Sequence, residues 1–88
     1  VLLIVFKYLS SKLAPQGIRV NSVSFGPFPS LKVQNNNRNF IKSLANQTHL
    51  KRIGTPEESA GIIEFLLSND SSYITGADIP VDGGWTAW

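Results

Sequence analysis

The sequence contains no cysteine, so neither a disulfide framework nor a thiolate metal site can stabilise its fold. A chain without cysteine fits a reducing compartment, and we expect a cytoplasmic protein. The longest apolar run, residues 1–6, is far shorter than the roughly 20 residues that a bilayer span requires. The net charge is only +2, and the lysines and arginines are scattered. We therefore predict no membrane segment, no metal site and no nucleic-acid partner.

Methionine is also absent, and the chain opens with a valine inside an apolar helical pattern. Residues 1–14 predict a helix whose apolar surface is too broad for a single stripe, which is typical of a helix between two layers. Nothing before Val1 could cap that helix. We therefore expect the 88 residues to be the C-terminal fragment of a longer chain.

A strand and a rigid loop follow the first helix. Pro15 and Gly17 end the helix, and residues 18–24 ("IRVNSVS") predict a strand. Residues 25–30 form a loop rich in proline and phenylalanine. Residues 31–50 are polar, with a short helix predicted near residues 39–46. On composition alone, a mobile lid and a variable surface loop are equal alternatives for this segment.

The clearest local pattern is "GTPEESAGIIEFLLSND". Thr55 is predicted as N-cap, Pro56 as first helical residue and Glu58 as the third, which together make a capping box. The helix should run over residues 56–67. Its predicted buried face consists of Ala60, Ile62, Ile63, Leu66 and Leu67.

Alternating apolar residues predict a last strand around residues 77–81, and Pro80 favours an edge position because it cannot donate to a ladder. The order of elements is α/β and supplies half of an open, mostly parallel sheet. The other half must come from missing chain or from another polypeptide. A free-standing small domain would instead melt cooperatively, and we expect no such transition from the 88 residues alone.

Two stretches, "LAPQGIRVNSVSFGPFPS" and "RIGTPEESAGIIEFLLSNDSSYITGADIPVDGG", resemble the sixth-strand segment and the last helix and strand of short-chain dehydrogenases/reductases. The matches run in order along nearly the whole chain. The resemblance implies the C-terminal part of a Rossmann-like, doubly wound parallel sheet, as an incomplete domain that binds NAD or NADP. It also implies a parent oxidoreductase that acts on a carbonyl or an alcohol.

In that family the loop after the sixth strand lies against the nicotinamide ring. The resemblance assigns Gly26 to the loop glycine, Phe28 to the residue whose backbone faces the carboxamide, and Ser30 to a hydroxyl contact. Phe25 departs from the family because it stands where proline is usual. It would press on the ring, fill space beside it, or indicate that the cofactor is held differently or not at all. The residues alone would also suit an ordinary turn with two core phenylalanines.

The resemblance implies that no catalytic residue lies in these 88 residues, because the family's Tyr-x-x-x-Lys pair and its serine lie upstream. Tyr8 and Lys12 have the spacing of the pair, but Lys12 lies too close to Ile18, so we interpret both as helix-surface residues. His49 is predicted to be a surface residue and Asp82 a turn former.

The remaining expectations concern partners. The resemblance implies the N-terminal part of the same fold, a small-molecule substrate bound by the loop over residues 31–50, and a homo-oligomer, either dimer or tetramer. The helix before the sixth strand, the last strand and the last helix would form the subunit contacts. The alternative is a non-catalytic scaffold or oligomerisation piece, in which Phe25 marks a blocked site.

Overall fold

The computed structural model describes residues 2–88, with side chains from residue 5 onward. Its regular elements are α1 (Leu2–Leu13), β1 (Ser22–Phe25), α2 (Leu31–Asn36), α3 (Arg38–Asn46), α4 (Pro56–Leu67) and β2 (Asp78–Val81). Short 3₁₀ turns cover Ala14–Gln16, Asn69–Ser71 and Trp85–Ala87. The predicted α/β order is confirmed. None of the helices in the described part of the chain has the length and apolar character needed to cross a bilayer.

The two strands pair in parallel, with Ser22 beside Asp78 and Phe25 beside Val81. The N–H of Ser22 donates to the carbonyl of Ala77 at 2.9 Å. Because hydrogen bonding alternates along a strand, the backbone groups of Val23 and Phe25 point to the other edge of β1. Within residues 2–88 no strand pairs with that edge.

Pro80 lies at the outer edge of the sheet. It is opposite Ser24 in the register, and the alternation of ladder bonds turns its nitrogen away from β1. A proline at this position removes no hydrogen-bond donor from the β1–β2 ladder, which agrees with the edge position predicted from the sequence. The sheet therefore has one edge blocked by proline and one edge with free backbone groups.

The first strand is shorter than the sequence predicts. The prediction was residues 18–24, whereas β1 begins at Ser22 and extends through Phe25. The preceding residues are held by side chains and single backbone bonds instead of a regular ladder. The N–H of Val20 donates to the Thr75 hydroxyl at 3.1 Å, and its carbonyl accepts from Gly76 at 2.8 Å.

Residues 18–21 form the lead-in to β1. Arg19 and Asn21 join this lead-in to the end of α4 and to the approach to β2, and we call these two side chains the Arg19–Asn21 clamp. The Arg19 guanidinium donates to the carbonyls of Leu66 at 3.0 Å and Ile74 at 3.1 Å, with a longer bond to Ser68. The Asn21 amide donates to the Ile74 carbonyl at 3.0 Å and accepts from the Ala77 N–H at 3.1 Å. The clamp satisfies carbonyls that a helix end leaves without intrahelical partners.

The helix α4 has the bounds that the sequence predicts. Pro56 is its first residue, and Thr55 and Glu58 form the capping box, with the Thr55 N–H donating to the Glu58 carboxylate at 2.9 Å. The predicted buried face is correct for two of its five members, because Ile62 and Leu66 are half-buried. The other predicted members are exposed, and these are Ala60, Ile63 and Leu67. Among the described residues, this part of the apolar surface of α4 is therefore left accessible to solvent.

The predicted polar segment 31–50 is more helical than its composition suggests. It holds two helices, α2 and α3, where one short helix near residues 39–46 was predicted. Ser30 explains the additional helix, because its hydroxyl oxygen accepts the Val33 N–H at 3.3 Å and so caps α2. The chain then turns at Asn37 into α3.

Burial is sparse throughout the described residues. Among the described side chains, Phe6 is the one apolar residue that is buried, with 8% of its surface exposed. The accessible surface is 6434 Å², whereas a compact monomer of this mass exposes about 5,100 Å². The radius of gyration is 15.6 Å, compared with about 12 Å for a compact chain of this length. The side chains described, from residue 5 onward, do not close a core of their own.

Replacing Arg19 with Gln should loosen the contact between the β1 lead-in and the approach to β2. Three carbonyls lose a charged donor, so amide hydrogen exchange at Gly76 and Ala77 should accelerate about tenfold or more. NMR-detected exchange measures this effect. The matched control is Arg38→Gln on the exposed surface of α3, which should leave both rates unchanged. Equal rates in the two variants would contradict the role given to the clamp.

Candidate functional site

The loop over residues 26–30 leaves the carboxyl end of β1, and the turn over residues 82–84 leaves the carboxyl end of β2. In a parallel sheet these ends lie at the same edge, which is where open α/β sheets bind ligands. A cleft of about 580 Å³ opens there. It is lined by Ser24, Phe25, Gly26, Pro27, Phe28, Pro29, Leu44, Asp82, Trp85 and Thr86.

The loop glycine is required by the packing of the two strand ends. The N–H of Gly26 donates to the carbonyl of Val81 at 3.0 Å. A Cβ atom on Gly26 would lie 2.7 Å from the Cα atom of Asp82, which is closer than any real contact. A side chain at this position would therefore push apart the two strand ends that form the cleft.

Two phenylalanines shape the wall of the cleft. The rings of Phe25 and Phe28 meet edge to face, with their centroids 5.2 Å apart. Phe28 also packs against Gly54, where a Cβ atom would overlap the Phe28 ring. The N–H of Gly54 donates to the Pro27 carbonyl at 2.9 Å, and this bond holds the glycine against the loop. Phe25 is 43% exposed and ends β1, where the sequence prediction had placed the start of the loop.

Ser30 lies at the far end of the loop. Its hydroxyl oxygen accepts the Val33 N–H, so its hydrogen remains free to donate. The Gln34 side chain donates to the Pro29 carbonyl at 3.0 Å and ties the loop to α2. Phe25, Gly26 and Phe28 thus line the cleft together, while Ser30 lies just beyond its lining.

Asp82 forms the turn that the sequence predicts. Its carboxylate accepts the N–H of Gly84 at 2.9 Å and, from Thr86, the hydroxyl at 2.7 Å and the N–H at 3.2 Å. The Thr86 hydroxyl is the main reason that the pKa of Asp82 lies below its ordinary value. The sequence reasoning missed that Asp82 also lines the cleft; its place directly after a parallel strand is the signal that could have indicated it.

A second cleft, of about 480 Å³, lies beside the first and shares Pro27, Phe28 and Asp82 with it. The Arg52 guanidinium lines this cleft and donates two hydrogen bonds, of 2.7 and 2.8 Å, to the Glu58 carboxylate. These bonds, together with the Thr55 N–H, lower the pKa of Glu58 from 4.5 to about 2.

The remaining candidates lie outside the first cleft. Tyr8 is 61% exposed and Lys12 is exposed beside it on α1, as predicted for helix-surface residues. His49 is exposed, and its ring meets that of Trp88 edge to face at 4.1 Å. Across the described residues, no group of three or more histidine, cysteine or acidic side chains is arranged to hold a metal ion.

Comparison with known proteins identifies the family. A family model described as enoyl-(acyl carrier protein) reductase matches residues 1–86. The solved structure of a short chain dehydrogenase family protein from Francisella tularensis subsp. tularensis SCHU S4 matches 99% of this chain with a TM-score of 0.85 and 34% identity. The chain belongs to the short-chain dehydrogenase/reductase family. The resemblance drawn from its two motif stretches is confirmed.

Other members show the same partial coverage. Cyclohexanol dehydrogenase of Rhodococcus sp. (strain TK6) is 43% identical over 86 residues, which is 91% of this chain and 30% of that protein. The structure of 4-hydroxyisoleucine dehydrogenase complexed with NADH matches 99% of this chain and 37% of its own, with a TM-score of 0.82 and 33% identity. The Francisella protein is covered to 40%. The chain thus spans about a third of the length of its relatives and represents part of a Rossmann-type domain.

Substituting Gly54 with Ala should displace the Phe28 ring, because the new methyl group would occupy the space of that ring. The nuclear Overhauser contacts between Phe25 and Phe28 should weaken or disappear. Gly61→Ala is the matched control, since a Cβ atom there meets open space and alanine favours a helix by about 0.5–1 kcal/mol. Intact ring contacts in Gly54→Ala would show that the loop tolerates a side chain there.

The Glu58 carboxyl should titrate near pH 2 in carbon-detected NMR. Because its pKa is lowered on folding, its contribution to stability is complete above pH 4.5 and is lost as the pH falls towards 2. Arg52→Gln removes the main cause of the lowered pKa, so the titration midpoint of Glu58 should rise towards 4.5. Lys51→Gln, which removes the adjacent cation, should leave it near 2. A midpoint near 4.5 in the unaltered chain would contradict the paired geometry.

Proposed function

We propose that the chain is the C-terminal part of an NAD(P)-dependent oxidoreductase that acts on a carbonyl or an alcohol. It would supply the nicotinamide-side loop, the substrate loop over residues 31–50 and subunit contacts. The observation that carries the proposal is the position of residues 26–30 at the carboxyl edge of a parallel sheet, beside a cleft. The family membership supports the general oxidoreductase assignment.

The loop has the properties that a wall for the nicotinamide ring needs. The backbone bond between Gly54 and Pro27, the packing of Phe28 against Gly54 and the Gln34 contact all limit its movement. A fixed wall reduces the freedom that must be lost when one ring face is presented for hydride transfer. The backbone at Phe28 and the free hydroxyl hydrogen of Ser30 would contact the carboxamide. NADH is bound in the related 4-hydroxyisoleucine dehydrogenase, which supports NAD or NADP here.

The chemistry would be shared with residues upstream of this chain. NAD(P)H supplies a hydride when bound, and the residues in these 88 positions orient and enclose it. Lys12 lies too close in sequence to Ile18 for the family's Tyr-x-x-x-Lys pair, so we assign Tyr8 and Lys12 no proton transfer. The proton donor would lie in the upstream part, and the 88 residues alone should turn over no substrate.

The upstream part would dock on the free edge of β1. Backbone groups of Val23 and Phe25 face that edge, whereas Pro80 blocks the edge of β2. An apolar groove between β1 and α4 continues the same surface and includes Val23, Ile63 and Leu66 in its lining. Added strands and helices would cover these groups and give the chain the core that it lacks.

Subunit contacts would use the apolar residues left exposed on α1 and α4. Val5, Tyr8 and Leu9 are 38–61% exposed on α1, and Leu67 is 81% exposed at the end of α4. Apolar area of this kind is typical of a homo-oligomer interface, and we propose a dimer or a tetramer. The small-molecule substrate is the other partner, and we place the protein in the cytoplasm.

A fusion enzyme tests the proposal. The 88 residues would replace the matched 30% of the Rhodococcus cyclohexanol dehydrogenase. The fusion should reduce NAD(P)⁺ with cyclohexanol, whereas Gly26→Val in the fusion should abolish activity by separating the strand ends. The isolated chain should be inactive in the same absorbance assay.

Phe25 favours a second candidate function, a non-catalytic scaffold. Its exposed ring lies in the cleft where the family usually has proline, and it could block the nicotinamide ring. A folded fusion that binds no NADH by fluorescence titration would support the scaffold and overturn the enzyme. If Phe25→Pro then restores NADH binding, the block is the Phe25 ring itself.

A further inference from the structure

Thr48, which follows the end of α3, is a polar residue whose side chain is fully buried, with 0% of its surface exposed. Residues of this chain alone enclose it, so the upstream part of the protein has no surface of Thr48 left to contact. A buried hydroxyl needs hydrogen-bond partners. The Thr48 hydroxyl donates to the Ala45 carbonyl at 2.9 Å, with the Arg52 carbonyl as a second acceptor at 3.3 Å, and it accepts the N–H of Arg52 at 3.3 Å. It thus joins the end of α3 to the backbone at Arg52.

The turn over residues 48–52, which we call the Thr48 turn, contains a strained residue. Lys51 has a φ of 59°, and among the described residues it is the one non-glycine residue with a positive φ. The left-handed backbone is unfavourable for a residue with a side chain, so it persists only where the surroundings fix it. The bond between the Arg52 N–H and the Thr48 hydroxyl closes the turn around Lys51, whose ammonium group donates to the Asn46 carbonyl at 2.8 Å. Loss of the hydroxyl should let the turn relax.

The Thr48 turn contacts the turn after β2 on one side. The N–H of Leu50 donates to the carbonyl of Gly83 at 3.0 Å. A Cβ atom on Gly83 would lie 3.4 Å from the Cβ atom of Thr48, so the Gly83 backbone packs directly against the Thr48 side chain. These contacts hold the Thr48 turn beside the carboxyl end of β2.

The Thr48 turn also reaches the loop over residues 26–30, through Gly54, which lies two residues beyond Arg52. The N–H of Gly54 donates to the Pro27 carbonyl at 2.9 Å, and the Phe28 ring packs against Gly54. The position of the Arg52 backbone therefore limits where Gly54 can lie, and Gly54 limits where Phe28 can lie. Thr48 lines neither of the two clefts, so its effect on a bound molecule must pass through the loop.

We propose that Thr48 is a positioning residue for the cofactor. Its buried hydroxyl fixes the Arg52 backbone and, through Gly54, the place of Phe28 in the wall that faces the nicotinamide ring. The inference rests on the proposed function, and it assigns Thr48 no contact with the cofactor and no proton transfer. Because the wall faces only the nicotinamide end, loss of the hydroxyl should weaken binding of that end and leave binding of the adenine end unchanged.

The test uses the full-length enzyme that contains these residues and two ligands. One is the coenzyme, NADH or NADPH, whichever the unaltered enzyme binds, and the other is the matching ADP-ribose compound, which lacks the nicotinamide ring. Thr48→Val keeps the size of the side chain but removes the hydroxyl. In calorimetric titration it should weaken binding of the coenzyme about threefold or more and leave the affinity for the ADP-ribose compound unchanged. Thr48→Ser keeps the hydroxyl and should bind the coenzyme as the unaltered enzyme does.

Ser71→Ala is the matched control. Ser71 is also buried, at 1% exposed, and its hydroxyl donates to the Leu66 carbonyl at 3.0 Å near the end of α4. The control removes a buried hydroxyl that has no hydrogen bond to the loop among the described residues, so the ratio of the two affinities should not change. If Ser71→Ala changes that ratio as Thr48→Val does, or if Thr48→Val weakens both ligands equally or neither, the inference is overturned and the proposed function stands.

Amide hydrogen exchange in the unaltered enzyme gives a second measurement, which does not depend on whether a variant folds. The coenzyme should slow exchange of the Arg52 and Gly54 N–H groups about threefold or more beyond the effect of the ADP-ribose compound, because the nicotinamide ring would rest on the wall that they hold. Equal exchange with the two ligands would overturn the inference and leave the proposed function standing. If the unaltered enzyme binds no coenzyme, the proposed function fails and the inference fails with it.

Discussion

The Arg19–Asn21 clamp is the constraint on which the rest of the structure depends. A two-stranded parallel sheet is weak by itself, and the chain between its strands is more than 50 residues long, from Phe25 to Asp78. Two polar side chains join the start of β1 to the end of α4 and to the approach to β2. They thereby fix the register of the strands, and the register brings both strand ends to one edge.

Close approaches of backbone to side chain then give the cleft its shape. Gly26 allows the end of β1 to lie against Asp82, and Gly54 leaves room for the ring of Phe28. Each glycine is explained by its neighbour within the chain, before any ligand is considered. The same contacts hold Phe25 and Phe28 edge to face, so the wall of the cleft is formed before it binds anything. Preorganisation of this kind is what precise positioning of a redox ring requires.

Local patterns in the sequence predicted α4 to the residue, because Thr55, Pro56 and Glu58 determine where a helix starts. Local patterns did not predict the parts of the structure that depend on contacts between residues distant in the sequence. The lead-in to β1 looked like strand by composition, but Arg19 and Asn21 use side chains to bind carbonyls more than 40 residues away. The loop was located correctly except for Phe25, which belongs to β1, and its role as a cofactor wall stays a prediction. The contributions of Leu44 and Trp85 to the cleft could not be predicted, because they depend on how α3 and the last turn fold back.

Pro80 removes one backbone donor from the outer edge of β2, so that edge is less suited to pairing with a further strand than the free edge of β1. Within residues 2–88, the free edge of β1 is therefore the side on which the sheet can most readily be extended by a further strand.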